Sequence, residues 1–459
     1  MPYNEASNLI GASCAATGSH FHAMSTAPAS PSSAPHATQP QTNRAALAVL
    51  FASMVIVMLG FGIAIPLMPF YIIHFDASGT ALGLMIALYS FMQFLFAPVW
   101  GRFSDRVGRK PVLLLGVAGF AGAFLLQGLA QSLFWFIAAR TLAGILSSAT
   151  LPTTMAYVAD TTTAENRARG VGMMGAAMGL GMIFGPLLGG LLAHVNPALP
   201  AGLTALLQVT TDPATGETIN LSIPFFVSGL LALAALPLIA FLLPESLPAH
   251  RRTAQAAPAG NRMTLLWAGL RGTSGFLYAL AFLLAFALAN MEAVLALYGA
   301  ARFGIGPAQV GLIMGGMGIL AVIQQGAVIG PLTRRVGEPR IIQGGLAIGI
   351  VGFVGLALAP TVWLFAAAAL LFTAGNVLLQ PSVTALISRR TAEGQGAAMG
   401  LNNSFQALGR GLGPLWAGFA FDLSSTLSFW TGALVQAIAL YYAMRRLPAG
   451  APAQAVDPA

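Results

Sequence analysis

The sequence predicts an all-α polytopic membrane protein, with twelve transmembrane helices in two six-helix halves. The first observation is composition. Hydrophobic residues make up 57% of the 459 and charged residues 7%, against about 25% charged in soluble domains. A water-soluble core cannot hide that much apolar surface. The second is the recurrence of apolar runs near the roughly 20 residues that a helix needs to cross a bilayer. The third is charge placement. Of the 21 Lys and Arg residues, all but Arg140, Arg302 and Arg410 fall before the first run or after an even-numbered one. The positive-inside rule makes that crowded side cytoplasmic, with both termini on it. The same distribution argues against nucleic acid as the reason for the net charge of +8.

Taken in order, residues 1–43 are rich in Ala, Ser, Pro and Thr and read as a disordered cytoplasmic tail. No basic start leads into an apolar stretch, so no signal peptide is expected. The first half, 44–243, holds spans 46–73, 80–100, 111–129, 133–158, 170–193 and 223–243. A basic, Ala/Pro-rich cytoplasmic linker covers 244–272. The second half, 273–445, holds spans 274–299, 308–329, 341–358, 362–387, 396–421 and 426–443, and a tail covers 446–459. Between spans 5 and 6, residues 209–219 read as a small hairpin outside the membrane. Asn220-Leu221-Ser222 fits the glycosylation tripeptide, a short match that chance supplies. The single cysteine, Cys14, excludes a disulfide framework and a cysteine metal cluster. His20, His22 and His36 lie in the tail. No metal or cofactor is expected.

The halves repeat. Pro152 returns as Pro381, Thr163-Ala164-Glu165 as Thr391-Ala392-Glu393, and Gly185-Pro186-Leu187 as Gly413-Pro414-Leu415. Two parallel six-helix halves about a pseudo-twofold along the membrane normal place a substrate site between them.

Between spans 2 and 3 stands the most charged stretch of the chain, Gly101-Arg102-Phe103-Ser104-Asp105-Arg106-Val107-Gly108-Arg109-Lys110-Pro111. It reads Gly, three residues, Asp-Arg, one residue, Gly-Arg-Lys-Pro. Span 5 carries Gly172, Gly181, Gly185-Pro186 and Gly189-Gly190. Small residues four apart let helices approach, and Pro186 removes a backbone donor. Gly185 is expected to pack against the other half. The first stretch resembles the loop between helices 2 and 3 of the major facilitator superfamily. The second resembles a signature of its drug:proton antiporter branch. The resemblance implies that Gly101, Asp105, Arg106, Gly108 and Arg109 form a conformational latch, with Asp105 facing the start of helix 11 and Asp160 as partner of Arg109. Its degraded copy, Gly330 to Gly337, has Arg334 where the Asp was. The run from Leu59 to Pro69 is similar to helix 1 of the same exporters. Tetracycline exporters have an Asp where Val57 stands here, which counts against tetracycline–metal chelates as substrate.

Of 13 acids, only Glu292 lies well inside a span. It sits ~24 Å along its helix, at a depth similar to Arg140 and Arg410 by the 1.5 Å rise per residue. An arginine at mid-bilayer costs ~2.5–3.5 kcal/mol on insertion scales, so Arg140 must face protein or water. Glu292 is either half of a permanent pair with one of these arginines or a proton carrier; burial and the arginines act on it in opposite directions. Family resemblance associates Arg140 with proton transfer; the alternative is a structural arginine bonding carbonyls. Gln93, Gln324, Gln325, Asn376, Gln380 and Asn402 suggest a mostly apolar, permissive cavity with a few amides.

No Gly-x-x-x-x-Gly-Lys-Ser/Thr loop is present, so ATP is not the direct driver. The expected protein is a monomeric secondary transporter in the cytoplasmic membrane. It is expected to export small amphiphilic molecules against inward proton flow. The rivals are an importer or metabolite exporter on the same fold, and a non-transporting receptor or scaffold.

Overall fold

The computed structural model describes residues 44–196, 206–247, 252, 262–272, 274–390 and 395–447. The tail 1–43, most of the linker and the last residues of the C-terminal tail lie outside the described residues. Among the described residues, eleven helices are long and apolar enough to cross a membrane. They are α1 (Arg44–His74), α2 (Gly79–Val107), α3 (Arg109–Gly128), α4 (Leu133–Thr161), α5 (Glu165–Leu192), α6 (Ser222–Leu242), α7 (Gly275–Phe303), α8 (Pro307–Val336), α9 (Glu338–Leu358), α10 (Val362–Arg389) and α12 (Leu427–Arg446). A further helix, α11 (Gln395–Leu423), runs 29 residues against α2 and α7. It is more polar than the rest, and with it the helices fit the twelve-span pattern.

The repeat is physical. α4 is interrupted at Ser148-Ala149, and α10 at Val377-Leu378. Pro152 and Pro381 stand four residues after Ser148 and Val377. A proline removes the bond to the carbonyl four residues back and clashes with it, so each half breaks its fourth helix at the same place. Gly108 and Gly337 repeat likewise, with φ of 117° and 78°. A side chain rarely adopts those angles, which explains the glycine in both copies.

That geometry corrects the outline of the charged stretch. It is not a loop. α2 runs through Val107 and α3 begins at Arg109, leaving Gly108 as the hinge. Hydropathy locates the membrane, whereas a helix continues into the water layer.

The hairpin is present as β1 (Val209–Thr211) and β2 (Thr218–Asn220), antiparallel, with Thr210 opposite Ile219. Asp212 anchors it. Its carboxylate accepts the Ala214 amide at 2.8 Å and lies 2.9 Å from His194 Nε2. Asn220 is buried, and its Oδ1 accepts the Ser222 and Ile223 amides at 3.0 and 3.2 Å. It caps α6 rather than presenting a glycosylation site.

The halves meet at one end. Call the ends of α2 and α4 that carry Arg102 and Asp160 the arginine-rich side. On the far side, Gly83 of α2 abuts the Pro414 carbonyl of α11 and Gly311 of α8 abuts the Pro186 carbonyl of α5. A Cβ at Gly190 would stand 2.5 Å from the Pro307 carbonyl oxygen. Toward the arginine-rich side the contact ends at Gly179 and Val322. Gly175 and Gly172 continue the face of Gly179, and Gly326 and Gly330 continue that of Val322. A Cβ at any of these four would meet nothing within 4 Å. The halves are closed on the far side and apart on the arginine-rich side.

Candidate functional site

A cavity of about 620 Å³ lies between the halves. Its first wall comes from α1, α2 and α4, with Phe61, Tyr89, Gln93, Arg140 and Leu151 among its residues. Its second comes from α7 and α11, with Ala289, Glu292, Asn403, Ser404 and Arg410. Glu292, Arg140 and Arg410, which the sequence put at similar depth, all line this one chamber.

Arg140 is 3% exposed and, among the described residues, has no carboxylate partner. Its guanidinium carbon lies 4.2 Å from the Tyr89 ring centroid, 5.7 Å from Phe61 and 5.9 Å from Phe124. Ring faces take the place of a counter-ion; a desolvated contact of this kind is worth ~2 kcal/mol. Nε and Nη1 are buried without a hydrogen-bond partner. The structural reading, an arginine bonding carbonyls, is not what the side chain does. Tyr89 is itself fixed: its hydroxyl lies 3.2 Å from Ser147 Oγ and accepts from Gln93 Nε2 at 3.0 Å. Arg140 therefore brings to the cavity wall a cation held by rings.

Glu292 and Arg410 are both exposed, and both face the cavity. They interact electrostatically yet form no ion pair. A carboxylate left open this way can take a proton or a cation without first breaking a salt bridge.

Of the expected amides, only Gln93 lines the cavity. Gln324 donates to the Ala374 carbonyl at 3.0 Å. Asn376 accepts from Gln436 Nε2 at 2.7 Å inside the second half. Asn402 is buried and donates to Thr384 Oγ1 at 3.3 Å. Gln380 is half-buried on α10. Asn403 and Ser404 occupy the wall instead.

The charged stretch is knit inside its own half. Arg109 is 8% exposed. Its Nη1 lies 2.6 Å from Asp105 Oδ1 and donates to Ser104 Oγ at 2.7 Å, and its Nε donates to Asp160 Oδ2 at 3.1 Å. Asp105 is half-exposed, Arg106 is exposed, and a Cβ at Gly101 would meet nothing within 4 Å. Asp105 pairs with Arg109 of its own half rather than with α11; residues 391–394 lie outside the described residues.

Glu245 was not singled out in the sequence. It accepts the Arg109 amide at 2.8 Å, the Lys110 amide at 3.2 Å and the Leu247 amide at 3.0 Å. It thus caps α3, where a negative charge suits the helix dipole. An acid directly after the apolar run of α6, in Pro244-Glu245-Ser246, was the available signal. The second half has its own version with reversed signs. Glu338 Oε1 lies 3.1 Å from Arg389 Nη1. Both stand 229 residues after the first pair (109 to 338, 160 to 389).

The α5 glycines serve two partners. Gly181, Gly185 and Gly189 lie against Met58, Gly62 and Ile63 of α1, in the same half. Gly185 therefore does not face the other half, as its sequence context suggested; Pro186 and Gly190 do, against Gly311 and Pro307 of α8. Gly172 faces open space. Among the described residues, no cluster of His, Cys, Asp and Glu could hold a metal ion.

A family model described as Major Facilitator Superfamily matches residues 50–414. Multidrug resistance protein 2 of Bacillus subtilis (strain 168) is 29% identical over 395 residues, 85% of this chain and 92% of that protein. The class C tetracycline resistance protein of Escherichia coli is 31% identical over 401 residues, 86% of this chain and 94% of that one. Among solved structures, a bacterial homologue of the human lysosomal transporter Spinster, inward-facing and unoccupied, has a TM-score of 0.68. It is 19% identical, over 88% of this chain and 98% of that one, a likeness of fold alone.

Proposed function

Because the chain belongs to the Major Facilitator Superfamily, we propose that it is a monomeric secondary transporter of the drug:proton antiporter kind. It exports small amphiphilic molecules across the cytoplasmic membrane by alternating access. The observation that carries this reading is the chamber between the halves. An aromatic and aliphatic wall for an amphiphile's body faces one open carboxylate, Glu292, in a chamber that two guanidiniums also line. The arginine-rich side is cytoplasmic on the positive-inside rule, which makes this state inward-facing. Substrate enters from the cytoplasm and displaces the proton from Glu292. Opening to the outside lets a proton return and the substrate leave. Arg140 and Arg410 set the field in which Glu292 titrates.

The latch at Asp105, Arg109 and Asp160 belongs to the outward-facing state, in which the arginine-rich ends of α2 and α11 close. In the state described, it is held ready by Arg109 and Glu245. The multidrug and tetracycline relatives support export. Val57, buried and apolar, supports substrates other than tetracycline–metal chelates.

Everted vesicles test the reading. With an inside-acid gradient, addition of an amphiphilic dye that the protein expels should partly collapse the gradient while the dye accumulates inside. Dye movement in the opposite sense would establish an importer; dye accumulation without proton movement would remove the coupling.

A further inference from the structure

The closed far side holds one contact in which a charged side chain of one half bonds the backbone of the other. α2 begins at Gly79, after the N-cap Ser78. Three of its first amides are satisfied from outside the helix ladder. Ala81 N–H donates to Ser78 Oγ at 3.2 Å, within the turn. Gly79 N–H donates to Asp422 Oδ1 at 2.7 Å, and Thr80 N–H to Asp422 Oδ2 at 2.8 Å. Thr80 Oγ1 adds a third bond to Oδ2 at 2.5 Å. Asp422 lies in the last turn of α11, in the second half. A carboxylate from one half therefore caps a helix of the other, with charge, dipole and two free amides all matched. The backbones touch beside it, since Gly418 abuts the Gly79 carbonyl.

α2 and α11 are antiparallel partners, and each ends in an aspartate. Asp105 closes the C-terminal end of α2 and Asp422 that of α11. In this state Asp422 is engaged with α2, while Asp105 is half-exposed and bonded only within its own half. Opening of the far side must break all three Asp422 bonds.

We propose that Asp422 is a gating residue of the transport cycle: its cap on α2 holds the far side closed, and it opposes the latch at Asp105. This rests on the alternating-access reading above. The two aspartates then act with opposite sign on one equilibrium. Loss of Asp422 favours the far-side-open state, and loss of Asp105 favours the state seen here.

The test uses full-length protein in nanodiscs with Cys14→Ser, spin-labelled at Phe134→Cys and Trp363→Cys. Those side chains are 70% and 82% exposed at the far-side ends of α4 and α10. Distances are recorded with and without a transported dye, at two pH values. Asp422→Asn should raise the long-distance population ~10-fold, the scale expected for charge-assisted hydrogen bonds. Asp105→Asn should lower it, and the double variant should return toward wild type. Thr80→Val removes one bond of the three, and should shift the ratio the same way by less; it serves if Asp422→Asn does not fold. A folded Asp422→Asn with the wild-type distribution would overturn the gate. So would a loss of thermal stability with no shift in distance, which is what a purely structural cap would give. A wild-type protein with one distance under all conditions would overturn alternating access itself, and the gate with it.

Discussion

Gly190→Ala adds one methyl group at the far-side seam between α5 and α8. A Cβ there would lie 2.5 Å from the Pro307 carbonyl oxygen, 2.9 Å from Ala308 Cα and 3.0 Å from the Pro307 carbonyl carbon. All three are backbone atoms, so no rotamer relieves the clash. Ordinary carbon contacts sit near 3.5–4.0 Å, so the helices must part by about 1 Å. Overpacking of this kind costs about 1–3 kcal/mol, and only where α5 and α8 touch. The gain in helix propensity from Gly to Ala is the same in both states and cancels from their ratio. The cost therefore appears as a shift of about 5–150-fold toward the far-side-open state. Gly172→Ala is the control, because its Cβ would meet nothing within 4 Å. Spin-label distances across the far side report the ratio directly. An unchanged distribution in Gly190→Ala, or an equal shift in Gly172→Ala, would refute the closed seam as the determinant of this state.

The reversed-sign pairs predict a rescue. Asp160→Arg alone should lose folded yield, since a second guanidinium then stands beside a mostly buried Arg109 that keeps only Asp105 as a counter-ion. Combining it with Arg109→Glu and Asp105→Arg should recover much of that yield by fluorescence size-exclusion, because Arg389, Glu338 and Arg334 hold the same places in that polarity; no recovery would mean the two sites differ in more than sign. Arg140→Leu should leave the melting temperature unchanged or higher, as it removes a costly intramembrane cation, while efflux falls to background; a marked drop in melting temperature would assign Arg140 to structure. Glu245→Gln should lower stability by about 1 kcal/mol, the usual scale for a lost cap, read as a melting shift of a few degrees; no shift would mean the α3 cap carries no stability.

What sequence revealed was what depends on distance along a helix. The constant rise puts Glu292, Arg140 and Arg410 at one depth, and the structure has them in one cavity. The spacing of Pro152 and Pro381 announced the repeat, and β1 and β2 stand where turn chemistry placed them. What sequence concealed was azimuth. Successive residues differ by about 100° around an α-helix, so Asn402 is buried against Thr384 while Asn403 faces the cavity. Gln324 and Asn376 turned inward to satisfy a carbonyl and another amide. Gly185 met α1 rather than α8 for the same reason. The role of Asp422 was invisible because its partners lie 342 and 343 residues away.

In the proposed cycle Glu292 carries the proton. Glu292→Gln keeps the shape of the side chain and removes its titration. Purified protein in weakly buffered detergent is mixed with a transported dye, and proton release is followed with a pH indicator. Wild type should release protons in proportion to dye bound. Glu292→Gln should release none while still binding dye and exchanging it downhill, because the cavity is intact. Proton release at the wild-type yield from Glu292→Gln would rule out Glu292 as the carrier and move the coupling site elsewhere, with Asp160 the next carboxylate to examine.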